Sequence, residues 1–229
     1  MIAPERFQFE LVIGDKNYSS WSLRPWLAMR HAGIPFREIN LRLRQETTKA
    51  EILKYSPSGF IPALLWNGDV IHDSLAICET MASLFPEKRL LPENGQARAL
   101  ARSYSAEMHS GFGDLRRDMP MEVLARFPGA GHTPGALANV RRIVEIWNGA
   151  RSRFGATADR DEGFLFGHFT IADAMFAPVV SRLITYEADL AALGDDGTSR
   201  RYMNLIWSLP AMQDWRAGAE AEMQAQAQA

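Results

Sequence analysis

The chain has 229 residues, 47% of them apolar and 23% charged, and its 25 basic and 27 acidic residues leave a net charge of −2. This composition supports a sizeable core and excludes global disorder. The charge balance argues against a protein built to grip nucleic acid or an anionic membrane. A single cysteine, Cys78, excludes an intrachain disulfide, a cysteine-rich zinc site and a CxxC redox centre.

The opening MIAPERFQFELVIG has no apolar run of the secretory kind, and no stretch approaches the roughly 18 apolar residues of a membrane span. The expected setting is cytoplasmic, with no membrane partner. Phe7, Phe9, Leu11 and Ile13 alternate as in a half-buried strand. A polar, turn-like stretch over 14–22 leads into a helix with Ser22 as N-cap and Pro25 in its first turn, where the missing N–H costs nothing. Gly33 is its stop signal. Ile39, Leu41 and Leu43 predict a second strand, and residues 50–55 a short helix ended by Pro57 and Gly59. Residues 63–66 and 70–71 flank Asn67-Gly68-Asp69, a tight-hairpin signal. A helix over 74–85 follows, with Cys78 read as a small core residue. The order β-α-β-α-β-β-α predicts parallel pairing with an antiparallel edge.

Residues 86–95 (PEKRLLPENG) read as a linker, after which strand signals nearly vanish. Helices are predicted over 96–108, 134–154, 170–183 and 201–207. Thr170-Ile171-Ala172-Asp173 has the form of a capping box with aspartate in place of Glu or Gln. The closing AEAEMQAQAQA is low in complexity and is expected to fray. Residues 1–86 are thus an α/β unit, 87–95 a linker and 96–229 an all-helical unit.

Common nucleotide, hydrolase and zinc-protease motifs are absent, and the five histidines show no metal-ligand spacing; no metal is expected. Three hydroxyls, Ser19, Ser20 and Ser22, lie between the first strand and the first helix. A helix N-terminus carries unpaired N–H groups and partial positive charge, so a hydroxyl there suits an anion such as a thiolate. The same serines also suit plain capping. Ile61-Pro62 precedes a strand, where an X-Pro bond can be cis. Asp73-Ser74 opens a helix, where a carboxylate and a serine suit a zwitterionic head group as well as capping.

In this order, SSWSLR, FIPAL, HDSLAI and TIAD resemble the motifs of the glutathione S-transferase superfamily, the first being similar to the serine motif of its zeta and tau classes. The resemblance covers nearly the whole chain. It implies a thioredoxin-like N-terminal domain, an all-helical C-terminal domain, a homodimer, and glutathione as cosubstrate. It places Ser19 at the glutathione sulfur, with Ser20 and Ser22 as the alternatives. It gives Ile61 the cysteinyl backbone, Pro62 a cis bond, and Asp73 and Ser74 the γ-glutamyl amine and carboxylate. The implied activity is transfer of glutathione to a small apolar electrophile, in detoxification. Trp21, Met108, Phe112 and Met119 could line the electrophile pocket, although most of them are expected in the core, and Arg182 could contact an anion, although its offset does not match the family's arginine. Three features depart from the family. Gly59 and Phe60 stand where Lys or Gln is common, Asp73 replaces the usual glutamate, and Trp21 stands where some zeta members have cysteine. Gly59 and Phe60 keep open a non-catalytic stress or protein-binding role, and Trp21 argues against the isomerase role of the zeta class, while within the enzyme reading a glutathione-dependent isomerase or peroxidase stays open.

Overall fold

A computed structural model describes residues 9–228. Phe7 of the first predicted strand lies outside the described residues. The α/β part runs β1 (Phe9–Gly14), α1 (Ser20–His31), β2 (Arg37–Leu41), α2 (Thr48–Leu53), β3 (Ala63–Trp66), β4 (Asp69–Ile71) and α3 (Ser74–Leu84). The sheet order is β2-β1-β3-β4. β1 pairs parallel to β2, while β1–β3 and β3–β4 are antiparallel, so the Asn67-Gly68 turn closes the hairpin at the sheet edge. Both turn residues have positive φ, as that turn demands.

The helical part follows a short 3-10 turn, Pro86–Lys88. It comprises α4 (Gly95–Ser110), α5 (Gly113–Asp118), α6 (Pro134–Ala150), α7 (Ile171–Tyr186), α8 (Thr198–Ser208) and α9 (Pro210–Ala227), with a π turn at Arg151–Gly155 continuing α6. α1 packs between the sheet and α7, so one apolar core runs through both parts. At its centre Trp26 meets Trp215 of α9 edge-on at 5.0 Å, and Trp147 packs against Phe176 and Tyr202. Cys78 lies fully buried in this core, where burial pushes its thiol up to about 12.

Asp173 closes the capping box at the start of α7. Its carboxylate accepts from Thr170 N and Thr170 Oγ1 at 2.8 and 2.9 Å, and from Leu165 N at 3.1 Å. No helix among the described residues is long and apolar enough to cross a membrane.

Two sequence expectations need correction. α1 begins at Ser20 with Ser19, not Ser22, as its N-cap, because Ser22 is engaged elsewhere, as described below. The AEAEMQAQAQA segment is not irregular over its described residues: α9 continues into it as far as Ala227. Alanine, glutamate and glutamine are strong helix formers, and the polar side chains here find partners on the loop after β1.

Candidate functional site

The serine segment is built at the junction of β1 and α1. Ser19 N and Tyr18 N both donate to Asp15 O, closing a turn that delivers Ser19 to the helix N-terminus. Ser19 Oγ donates to Ser22 Oγ at 2.7 Å and accepts a longer bond from Ser22 N at 3.4 Å. Ser22 is fully buried and accepts from Gly14 N at 3.1 Å, tying the end of β1 to the helix. Ser20 occupies the first helical position and is nearly buried. Two hydroxyls, Ser19 and Ser22, therefore form a chain at the N-terminus of α1, where Ser20 N donates to Tyr18 O and Ser22 N to Ser19 Oγ.

α9 clamps the loop that leads to them. Trp215 Nε1 donates to Lys16 O at 2.9 Å, Lys16 N to Glu222 Oε2 at 2.8 Å, and Gln226 Nε2 to Asp15 Oδ1 at 3.0 Å. Lys16 Nζ lies between the carboxylates of Glu38 and Glu222. From the other side, Leu124 N donates to Asn17 Oδ1 at 3.0 Å and Val123 N to Asn17 O at 3.1 Å.

Beside the serine segment lies a cleft of about 340 Å³. Ile61, Pro62, Asp73 and Ser74 all line it, together with Trp21, Ser58, Phe60, His72 and His109. The Ile61–Pro62 peptide is cis. Asp73 is the N-cap of α3: its Oδ1 accepts from Leu75 N and Ala76 N at 3.0 and 3.1 Å. Its Oδ2 lies 2.9 Å from His109 Nε2 of α4, joining the two parts of the molecule across the cleft mouth. Ser74 Oγ is buried and has no hydrogen-bond partner among the described residues. The structure thus gathers the four residues expected at the glutathione backbone and head group, with the pocket candidate Trp21 beside them. Ser19, Ser20 and Ser22 are not in the lining, and the helix end they occupy reaches the cleft through Trp21.

Several residues invisible to sequence reasoning belong to this region. Lys49 of α2 donates to Gly59 O at 3.0 Å and lies 5.0 Å from the Phe60 ring, bringing a cation to the place where Gly59 and Phe60 lack one. His109 pairs with Asp73 and meets Trp21 edge-on at 5.2 Å. Arg24 of α1 and Arg116 of α5 both lie against the Trp21 ring, at 4.2 and 4.7 Å from its centroid. Burial, with Arg116 and Arg182 as neighbours, holds Arg24 well below the usual guanidinium range. Met108, Phe112 and Met119, read as pocket candidates, are core residues. Arg182 is buried too and donates to Met119 O and Pro178 O at 2.8 and 3.2 Å. No cluster of metal-ligating side chains occurs among the described residues.

Comparison with known proteins fits this geometry. The model of the glutathione S-transferase N-terminal domain matches residues 18–84 and that of the C-terminal domain residues 111–221. A probable maleylacetoacetate isomerase of Caenorhabditis elegans is 30% identical over 105 residues, 46% of this chain and 48% of that one. The chain spans about half the length of the first curated relatives it matches. The maleylacetoacetate isomerase of Rhizobium meliloti is 29% identical over 189 residues, covering 80% of this chain and 86% of that one. A crystal structure of a Burkholderia glutathione transferase homologue with bound glutathione superposes with a TM-score of 0.65 at 20% identity, covering 93% of this chain and 98% of that chain, a likeness of fold. With matching domain models on either side of a cleft that unites the cis-proline turn and the Asp73–Ser74 helix start, the chain belongs to the glutathione S-transferase family.

Proposed function

We propose that the protein binds glutathione in this cleft and uses its thiolate against a small electrophile. The observation that carries the reading is the convergence of Ile61-Pro62, Asp73-Ser74 and the Trp21 end of α1 on one cleft. Ile61 would pair with the cysteinyl backbone, and Ser74 Oγ would take the γ-glutamyl carboxylate. Asp73 would take the amine while still capping α3. The sulfur would face the N-terminus of α1.

Ser19 is the assigned donor to that sulfur, with Ser20 and Ser22 as alternatives. When Ser19 turns its proton toward a thiolate, Ser22 is placed to donate to Ser19 in its stead, polarising it. A charge-assisted hydrogen bond and a helix N-terminus together supply roughly 2–4 kcal/mol. Each 1.4 kcal/mol of preference for the thiolate lowers a thiol's pKa by about one unit, so a free thiol near 8.5 becomes largely ionised at neutral pH. The nucleophile belongs to glutathione, and the chain supplies position and field.

In this reading residues 1–86 bind glutathione, 87–95 link, and 96–229 hold the electrophile. The protein acts in the cytoplasm as a homodimer, in detoxification. A second reading, isomerisation by reversible thiolate addition, is favoured by the relatives called maleylacetoacetate isomerase, one of which aligns over 86% of its length.

The test is a glutathione titration followed by tryptophan fluorescence, since Trp21 lines the cleft, with calorimetry alongside. Saturable binding at millimolar or lower concentration is expected. No binding by either method refutes the proposal and turns attention to a protein-binding role.

A further inference from the structure

The helical part already holds the carboxylate assigned to the amine of glutathione. Asp73 has two carboxylate oxygens, and Oδ1 is taken by Leu75 N and Ala76 N of α3. Oδ2, the oxygen left for the amine, lies 2.9 Å from His109 Nε2 of α4. His109 also lines the cleft, and its ring meets Trp21 edge-on at 5.2 Å.

With its proton on Nε2, the neutral ring donates to Asp73 and leaves Nδ1 bare. Nδ1 is buried and has no hydrogen-bond partner among the described residues. A second proton there makes a buried N–H without an acceptor. It also makes a cation among charged groups of both signs. Asp73 faces the ring from α3, and His72 lines the same cleft from the turn before it. Arg116 of α5 donates to the carbonyl of His109 at 3.2 Å and lies on the Trp21 ring, as does Arg24 of α1. On α4 itself, Glu107 is paired with Arg142.

We propose that His109 positions Asp73 for the γ-glutamyl ammonium, and that the charge on His109 sets the affinity for glutathione. This rests on the glutathione reading above. A carboxylate oxygen has two lone-pair sites, so Oδ2 accepts from the neutral ring and from the ammonium together. Once the ring is a cation, Asp73 is neutralised and the ammonium meets like charge. Binding therefore expels the second proton of His109, and acid weakens binding at the head group, away from the sulfur. Histidine changes charge between about pH 5 and 8, which places the effect in the range where the protein works.

The probe is S-methylglutathione, which keeps the head group and has no thiol to ionise. Its binding is followed by calorimetry between about pH 5.5 and 8. The wild-type dissociation constant should rise about threefold to tenfold toward the acid end. Near the middle of that range binding should release a fraction of a proton, seen as a heat that varies with the ionisation enthalpy of the buffer. His109→Gln, which keeps a neutral N–H donor in reach of Asp73, should hold one dissociation constant across the range and release no proton. His72→Gln, the control for the other histidine of the cleft, should keep the wild-type profile. Binding by wild type that ignores pH, a wild-type profile in His109→Gln, loss of the profile in His72→Gln, or loss of binding by His109→Gln at pH 8 overturns the inference and leaves the glutathione reading standing. No binding by wild type at any pH removes both.

Discussion

Replacing Asp173 by alanine tests how the helical part is held. The carboxylate is wholly buried and accepts three hydrogen bonds, from Leu165 N, Thr170 N and Thr170 Oγ1. Alanine strands two buried backbone N–H groups and one hydroxyl, each costing about 1–3 kcal/mol. Removal of a buried carboxylate offsets part of this. The net loss expected is about 3–5 kcal/mol, or a fall in Tm on the order of 10 °C for a chain of this size. Asp173→Asn, which keeps one oxygen but turns an NH2 toward an N–H donor, should fall between the two.

The pH dependence has a definite sign. Burial pushes the Asp173 carboxyl up to about 6, above its unfolded value near 3.9. The folded chain then holds this proton more tightly than the unfolded one, so the group's contribution rises as pH falls from 6 toward 4. The gap between wild type and Asp173→Ala, measured by urea denaturation with far-UV circular dichroism, should be wider at pH 5 than at pH 7.5. A gap below 1 kcal/mol, or one that narrows on acidification, refutes the reasoning.

Four further outcomes are expected. Ser19→Ala should lower turnover with glutathione about 10- to 100-fold, the worth of one charge-assisted hydrogen bond, with an unaltered circular dichroism spectrum; unchanged turnover moves the role to Ser20 or Ser22. Lys49→Met should raise the KM for glutathione about threefold to tenfold with little change in kcat, since its contact lies at Gly59 rather than at the sulfur. Glu222→Ala should lower turnover and speed proteolysis after Lys16, because it removes the acceptor of the Lys16 N–H and one of the two carboxylates beside its ammonium; identical digestion of variant and wild type would count against the clamp. Cys78 should resist thiol reagents until the protein is denatured, as its fully buried, protonated sulfur requires.

The parts legible in the sequence are those that local chemistry decides. Asn67-Gly68 needs no distant partner to form its turn, and Thr170 with Asp173 caps α7 from within one turn of helix. The cis-proline turn and the Asp73-Ser74 helix start were likewise visible as short motifs, and the cleft then gathered them. What sequence could not reveal depends on long-range partners. Ser22 lost its capping role because Gly14 N, eight residues earlier, claims its hydroxyl. α5 is six residues long and follows Phe112 in a left-handed conformation, so it carries no readable period. Lys49, His109 and Arg24 come from three different helices, and only folding brings them against Phe60, Asp73 and Trp21. The C-terminal repeat of small and polar residues looked unstructured because its partners lie some two hundred positions away.

That last arrangement has a consequence for biogenesis. β1 and the serine segment leave the ribosome early, whereas Glu222 and Gln226 are made more than two hundred residues later. A nascent chain can form its sheet and its first helix, yet the turn that aims Ser19 waits for α9. With Ser19 in the proposed role, chemistry at the thiol would be coupled to completion of the helical half, and a chain stalled in translation would be inert rather than half active.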